Sequence, residues 1–297
     1  MIKPLVLVTG GSGQVGTGIA QANRGRFEIV APARDELDLT NRDSIEAMIA
    51  SQDWGAIINC AAYTAVDKAE SDRDTAFAIN GEAPGIMAKA AADKSIPLLH
   101  VSTDYVFDGT KNGFYNEDDP VAPLGVYGAS KEAGERAVRE AGARHLILRT
   151  AWVVSPWGNN FVKTMLRIGA EREKLGVVAD QIGCPTSAAD IAETLLTLTE
   201  KRLGDGDAPT GTYHFVNTGQ ANWHDLATHV FKRAAQHGRT APKVDAITTA
   251  DYPTPAKRPA NSRLATDKIS RDFEITPRPW QDAIDDILET LLEGADV

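Results

Sequence analysis

Leu5-Val6-Leu7-Val8-Thr9-Gly10-Gly11-Ser12-Gly13-Gln14-Val15-Gly16 is the stretch on which the fold turns. The run Leu5–Val8 is apolar without alternation, as a strand buried on both faces reads. The glycines after it fit both Gly10-x-x-Gly13-x-x-Gly16 and Gly11-x-Gly13-x-x-Gly16, and helix-forming residues follow. Glycine accepts the positive φ of a tight turn and has no Cβ to hold a pyrophosphate away. The helix start then offers unpaired N–H groups and a partial charge of about +0.5. Glycines alone would read equally as a plain turn; a strand before them and a helix after them make the stretch a dinucleotide site. Gly10, Ser12, Gly13, Gln14 and Val15 are its expected contacts.

The rest of the first half repeats the rhythm. Strands are expected at Pro4–Thr9, Phe27–Ala31, Ala56–Asn59, Pro97–Ser102 and His145–Arg149. Helices are expected at Gln14–Asn23, Arg42–Ser51, Asp74–Lys94 and Ala129–Ala141. Strand–helix alternation with apolar strands predicts an α/β fold, a doubly wound (Rossmann) parallel sheet. Past about Thr150 the rhythm loosens, with turn signals at Ser155–Asn160, Lys201–Gly211 and Thr249–Arg263. Helices are expected at Phe161–Glu173, Ser187–Glu200, Trp223–Gln236 and Trp280–Glu293, the last with Ile284, Ile287, Leu288, Leu291 and Leu292 on one face. The Pro-rich stretch Tyr252–Pro259 is expected to be an ordered loop. Two lobes follow: residues 1–150 as the dinucleotide-binding domain, to which some later segments return, and 151–297 mainly as a smaller substrate-binding α/β lobe.

The chain has 297 residues and a net charge of −10, with no stretch that concentrates Lys and Arg. Nucleic acid and anionic membranes are therefore poor partners, because phosphate contacts need clustered cations. Only two cysteines occur, Cys60 and Cys184, which is neither a disulfide framework nor a metal spacing. Apolar runs fall short of the roughly 20 residues of a membrane span. A cytoplasmic protein with a small-molecule substrate is expected.

Which nicotinamide cofactor is used depends on the second strand. An NAD-preferring site usually ends that strand with Asp or Glu for the ribose 2′-hydroxyl. Here Val30 is followed by Ala31, Pro32, Ala33 and Arg34. Arg34 suits a 2′-phosphate, a solvated loop charge being its other reading. NADPH is expected, with NADH tolerated.

Val126-Tyr127-Gly128-Ala129-Ser130-Lys131 contains Tyr-x-x-x-Lys. On a helix this spacing puts Lys131 on the face of Tyr127, one turn later. A phenol titrates near ~10 unaided, and a nearby cation lowers that value. The same ammonium can hydrogen-bond a nicotinamide ribose. Thr103, at the carboxyl end of the fourth strand, is placed to hold a substrate oxygen, since ligands gather at that edge of an open sheet. The expected catalytic residues are Thr103, Tyr127 and Lys131; an ordinary helix start is the alternative. His100, inside an apolar strand, reads as packed.

Together the glycine loop, Thr103 and Tyr127-x-x-x-Lys131 resemble the extended short-chain dehydrogenase/reductase superfamily. Further stretches are similar to the dTDP-4-dehydrorhamnose reductase family within it: Asn59-Cys60-Ala61-Ala62-Tyr63-Thr64-Ala65-Val66-Asp67, Ser102-Thr103-Asp104-Tyr105-Val106-Phe107-Asp108-Gly109, Leu148-Arg149-Thr150-Ala151-Trp152-Val153, Asp180-Gln181-Ile182-Gly183-Cys184-Pro185-Thr186 and Lys257-Arg258-Pro259-x-x-Ser262. The resemblance runs from the N-terminus to the final helix. It implies reduction of the C4 ketone of a 6-deoxy-hexulose carried on thymidine diphosphate, with Tyr127 giving the proton, Lys131 lowering the tyrosine pKa and holding the ribose, and Thr103 holding the oxygen. It maps Gly13, Gln14, Val15, Asp38, Leu39, Ala61, Ala62 and Tyr63 onto the cofactor cradle, and Asp104 and Trp152 onto the sugar nucleotide. Arg258 suits the diphosphate, because a guanidinium binds oxygens bidentately. Asn80 fits a structural position of the superfamily.

Two departures stand out. Some relatives dimerise through a metal held by acidic side chains, one just after the glycine motif; Gly18 occupies that neighbourhood, so no metal is expected, and a monomer or homodimer stays open. Tyr63 stands where relatives carry His. A 4,6-dehydratase needs an Asp-Glu pair after the catalytic Thr, and here Asp104-Tyr105 follows Thr103. The other readings are a related nucleotide-sugar epimerase and a non-catalytic regulatory subunit of the methionine adenosyltransferase type, which would not need Tyr127 and Lys131.

Overall fold

In the computed structural model, which describes residues 3–142 and 144–293, the strand before the glycines is buried on both faces. Val6 and Val8 pack with Ile191 and Leu195 on one side, and Leu7 packs with Ile45, Ile49 and Met87 on the other. Alternate side chains of a strand point to opposite faces, so an unbroken apolar run is what a two-sided core requires. Each such side chain contributes roughly 1.5–3 kcal/mol by leaving water.

The first half runs β1 (Leu5–Thr9), α1 (Gln14–Ala22), β2 (Glu28–Val30), α2 (Arg42–Ala50), β3 (Ala56–Asn59), α3 (Val66–Ala69), α4 (Arg73–Phe77), α5 (Ala83–Asp93), β4 (Leu98–Thr103), α6 (Val126–Glu140) and β5 (His145–Thr150). The second half contributes β6 (Val153–Val154), α7 (Phe161–Gly169), β7 (Lys174–Val178), β8 (Ile182–Gly183), β9 (Thr186–Ser187), α8 (Ala188–Gly204), β10 (Gly211–His214), β11 (Ala221–Asn222), α9 (Trp223–Gln236), β12 (Lys243–Ile247), α10 (Asp267–Phe273) and α11 (Trp280–Glu293).

Six strands form one parallel sheet in the order β2-β1-β3-β4-β5-β10. The order reverses between β1 and β3, and the crevice beyond the carboxyl ends at such a point is where doubly wound sheets bind ligands. β10 comes from the second half of the chain, and α8 packs on α1. The second half of the chain also holds the two-stranded pairings β12-β7, β11-β8 and β6-β9. Its core joins α7, α9 and α11: Ile284, Ile287, Leu288 and Leu292 meet Val162, Val230 and Phe231.

Besides α7, which ends at Gly169 rather than Glu173, and α8, which reaches Gly204 rather than Glu200, two helices differ from their sequence expectation near the site. The segment expected as one helix over Asp74–Lys94 is interrupted by a π-helical turn at Ala78–Glu82, with Pro84 at the start of α5. Such turns widen a helix locally and recur at functional sites. α6 begins at Val126 rather than Ala129, which places Tyr127 in its first turn. Tyr252–Pro259 is an ordered loop: the Ala256 N–H donates to Asp67 and the Thr254 hydroxyl to the Ala256 carbonyl. Among the described residues no helix is long and apolar enough to cross a membrane.

Candidate active site

The turn between β1 and α1 needs its glycines for space as well as for conformation. Gly10 has φ +70°, and a Cβ there would lie 2.7 Å from the Ala61 backbone across the switch point. A Cβ on Gly16 would lie 2.3 Å from the Gly10 carbonyl oxygen. Gly13 begins α1 without any side-chain cap, so the first-turn amides are left to a ligand. Narrow backbone, free amides and the positive end of a helix together fit a diphosphate. Ser12 is exposed and Val15 half-buried against the core.

The Gln14 side chain turns away from the cradle and clips it to residues 153–160. Its side-chain oxygen accepts from Ser155 Oγ at 2.7 Å and Asn160 Nδ2 at 3.0 Å, its amide donates to the Val153 carbonyl at 3.4 Å, and its backbone carbonyl accepts from Trp157 Nε1 at 2.7 Å. Past β2, Arg34 is exposed and tied to none of the other predicted site residues by a described contact. Asp38 accepts from the backbone and hydroxyl of Thr40, which hold its carboxyl below the usual range. Leu39 packs into the core under α2.

Ala61, Ala62 and Tyr63 follow β3 as a half-buried segment facing the glycine turn. Asn80 fixes that segment. Its side chain accepts from the Tyr63 N–H at 2.8 Å and donates to the Tyr63 carbonyl at 3.1 Å and to Ser130 Oγ at 3.0 Å. The Ser130 hydroxyl donates in turn to the Tyr127 carbonyl at 2.8 Å. The π-helical turn thus links the cradle to the first turn of α6. The Tyr63 phenol donates to Asp72 at 2.9 Å.

Thr103 is the last residue of β4. Its hydroxyl donates to Asp104 Oδ1 at 2.9 Å and accepts from the Tyr105 N–H at 3.2 Å. The rings of Tyr105 and Tyr127 meet edge to face at 5.3 Å. Glu70 accepts from the Val126 N–H at 2.9 Å and so sets a carboxylate at the start of α6. Burial pushes the Tyr127 phenol well above its ordinary value; the Thr103 hydroxyl pulls the other way, and Asp104 and Tyr105 add to the rise. Burial likewise brings Asp104 up to about 6, against hydrogen bonds from Ser262 and Thr103.

Lys131 is buried one turn beyond Tyr127. Its Nζ donates to the Val101 carbonyl at 2.7 Å and lies 3.4 Å from His100 Nε2. Burial lowers its ammonium to about 8, while Glu135 and Cys60 oppose the shift. In this structure burial sets the direction of the tyrosine shift, and the lysine faces the sheet.

Two further residues frame the carboxyl edge. Trp152, just beyond β5, has φ +49°, stacks on Trp223 at 3.6 Å between centroids and lies under Gly183, where a Cβ would come within 2.4 Å of the indole. Arg258 pairs with Asp67 at 2.7 Å and donates to the Tyr105 hydroxyl at 3.2 Å. The structure therefore gathers Thr103, Asp104, Tyr105, Tyr127 and Arg258. The Gln14 clip and the buried row Thr9, Asn59 and His100 were missed from sequence; polar residues ending otherwise apolar strands were the available signal. A separate concavity of about 370 Å³, lined among others by Glu117, Asp119, Lys268 and Arg271, involves none of these residues. Among the described residues no group of three or more His, Cys, Asp or Glu could hold a metal ion. Gly18 is buried between α1 and α8, where a Cβ would lie 3.0 Å from the Ala188 carbonyl.

The family described as RmlD substrate binding domain matches residues 4–293. The chain is similar to a dTDP-4-dehydrorhamnose reductase of Aggregatibacter actinomycetemcomitans, 46% identical over 95% of this chain and 97% of that protein. It is similar to another of Sinorhizobium fredii, 43% identical over 97% of this chain and 98% of that one. Among solved structures, a dTDP-4-dehydrorhamnose reductase from Bacillus anthracis in complex with NADP superposes with a TM-score of 0.90 at 35% identity, covering 96% of this chain and 99% of that chain.

Proposed function

The chain belongs to the RmlD substrate binding domain family, and from that premise we propose that it reduces the C4 ketone of dTDP-4-dehydro-6-deoxy-L-mannose with NADPH or NADH, giving dTDP-L-rhamnose. The observation that carries the reading is the edge-to-face contact of Tyr127 with Tyr105, two residues past Thr103 at the carboxyl edge of β4, close to the switch point that holds the glycine cradle.

Gly10, Ser12, Gly13, Val15 and the backbone N–H of Gln14 would hold the cofactor diphosphate, Arg34 a 2′-phosphate, and Asp38, Leu39, Ala61, Ala62 and Tyr63 the remaining walls. When bound, the nicotinamide supplies hydride to C4. Tyr127 enters protonated, because burial holds its phenol high, and gives its proton to the oxygen as charge develops there. Aid of this kind is typically worth about 10²–10⁴-fold. Thr103 has one hydroxyl proton, now given to Asp104; the substrate oxygen competes for it. Lys131 holds the ribose and, as an ammonium, favours the phenolate left behind. Asp104 and Trp152 contact the sugar nucleotide, and Arg258 takes the diphosphate. In this reading residues 1–150, joined by α8 and β10, hold the cofactor, and most of 151–297 holds the substrate.

The test is nicotinamide oxidation with dTDP-, UDP- and GDP-linked 4-keto-6-deoxy sugars. Turnover of the dTDP compound, fastest of the three, is expected. No oxidation with any of them would overturn the reading.

A further inference from the structure

A row of polar side chains crosses the carboxyl end of the sheet on the face that α6 covers. Thr9, Asn59 and His100 stand opposite one another on β1, β3 and β4, and all three are buried, His100 completely. Two positions earlier in each strand the same face carries Leu7, Ile57 and Leu98. Thr9 Oγ1 donates to Asn59 Oδ1 at 2.6 Å, Asn59 Nδ2 lies 3.0 Å from His100 Nδ1, and His100 Nε2 lies 3.4 Å from Lys131 Nζ.

The direction of every bond in the row follows from its far end. The Ala61 backbone N–H can only donate, and it reaches Asn59 Oδ1 at 3.2 Å, beside the Thr9 hydroxyl. Asn59 must therefore offer its NH₂ to His100, so Nδ1 accepts and the neutral ring keeps its proton on Nε2, toward Lys131. An ammonium and an N–H at that distance are two donors facing each other. A neutral amine instead accepts from Nε2 while still donating to the Val101 carbonyl at 2.7 Å. The ring itself stays neutral: burial holds it well below its ordinary value, and Lys131 and His145 hold it there too.

We propose that His100 is a positioning residue for Lys131: the row Thr9–Asn59–His100 locks the imidazole with a donor aimed at Nζ, and this favours release of the lysine proton. The proposal rests on the reading of Lys131 as the neighbour of Tyr127 in ketone reduction. The other groups facing Lys131 are Cys60 beyond β3, Glu135 and Tyr127 one turn either side on α6, and the Val101 carbonyl of β4. Cys60 and Glu135 favour the ammonium. Glu135, however, is already committed to Arg149 through two bonds of 2.6 and 2.9 Å. The lysine is thus left with a proton it can exchange, rather than a fixed charge.

The experiment follows the Lys131 side-chain titration by NMR in lysine-labelled apo protein, assigned with Lys131→Arg, beside the pH profile of kcat/KM. The wild-type midpoint is expected near about 8. His100→Ala removes the donor and admits a water that accepts from the ammonium, so the midpoint and the basic limb of kcat/KM rise by about one pH unit. His100→Asn is too short to reach Nζ and gives the same rise; it stands in where the alanine variant does not fold. His100→Gln accepts from Asn59 and turns its NH₂ to Lys131, so the midpoint stays near that of the wild type. An unmoved midpoint in both short variants, or a rise in His100→Gln as large as theirs, would overturn the proposal. A wild-type protein that reduces no dTDP-ketosugar would overturn the functional reading instead, while the titration still decides the role of His100.

Discussion

Arg258 and Asp67 form an ion pair at 2.7 Å across the mouth of the candidate site, and the other Asp67 oxygen accepts from the Ala256 N–H at 3.1 Å. Asp67 thereby holds both the guanidinium and the loop that carries it. A diphosphate must compete with this carboxylate for the fork. Charge-assisted bonds of this type contribute about 1.5–3 kcal/mol each. Arg258→Ala should therefore raise KM for the nucleotide sugar about tenfold to a hundredfold and leave KM for NADPH unchanged. Steady-state kinetics with each substrate varied in turn gives the answer; equal effects on both constants would place Arg258 elsewhere.

Tyr127 is the proposed proton donor, and its phenol is held protonated by burial. Tyr127→Phe should reduce kcat by about 10²–10⁴-fold, with cofactor affinity nearly unchanged, since Phe keeps the ring contact with Tyr105. Turnover and NADPH binding by fluorescence are the two measurements. Undiminished turnover would remove Tyr127 from the chemistry.

The sheet and the catalytic edge were legible because both depend on residues close in sequence. Leu5–Gly16 carries a strand, a turn and a helix start within one stretch, and Tyr127 and Lys131 need only a helix between them. β10 was not legible as part of the sheet: of Gly211-Thr212-Tyr213-His214 only Tyr213 is hydrophobic, and its partner β5 lies far upstream. The break between α4 and α5 depends on Asn80 reaching Tyr63 and Ser130, which no local propensity records. The Gln14 clip joins residues more than a hundred positions apart. Local rules carried the fold; the polar contacts that tension the site came only from its assembly.

Asp104 is buried beside Thr103, and burial raises its carboxyl from 3.8 to about 6. A raised carboxylate costs stability where the folded state must ionise it. The cost is absent below the unfolded value, grows between about 4 and 6, and is complete above that. At one pKa unit per 1.36 kcal/mol it amounts to about 3 kcal/mol. Asp104→Asn keeps the shape and loses the charge, so the variant should unfold at higher urea than wild type at pH 8 and at nearly the same urea at pH 3.5. A gain of equal size at both values would sink the explanation.

Arg34 is exposed and held by none of the other site residues, so its removal should disturb nothing but a ligand. Arg34→Ala is expected to raise KM for NADPH about tenfold through loss of a charge-assisted phosphate contact. KM for NADH, which has no 2′-phosphate, should stay as it is. Parallel kinetics with the two cofactors measures the difference, and its absence would assign Arg34 to solvent.

Glu135 and Arg149 form a bidentate pair beneath α6, with both side chains essentially out of water. Burial pushes the Glu135 carboxyl up, but Arg149, Ser102 and Arg139 together outweigh it and leave the group below its ordinary value. A lowered carboxylate contributes stability above its unfolded pKa and loses it as the pH falls. Removing one partner of a buried pair strands the other charge at a cost of about 3–5 kcal/mol. Glu135→Ala should therefore lower the urea midpoint strongly at pH 7 and progressively less toward acid, where the wild type loses the same contribution. Unfolding curves at several pH values test this; a deficit that does not shrink on acidification would mean that lost packing, rather than the ion pair, is what the variant reports.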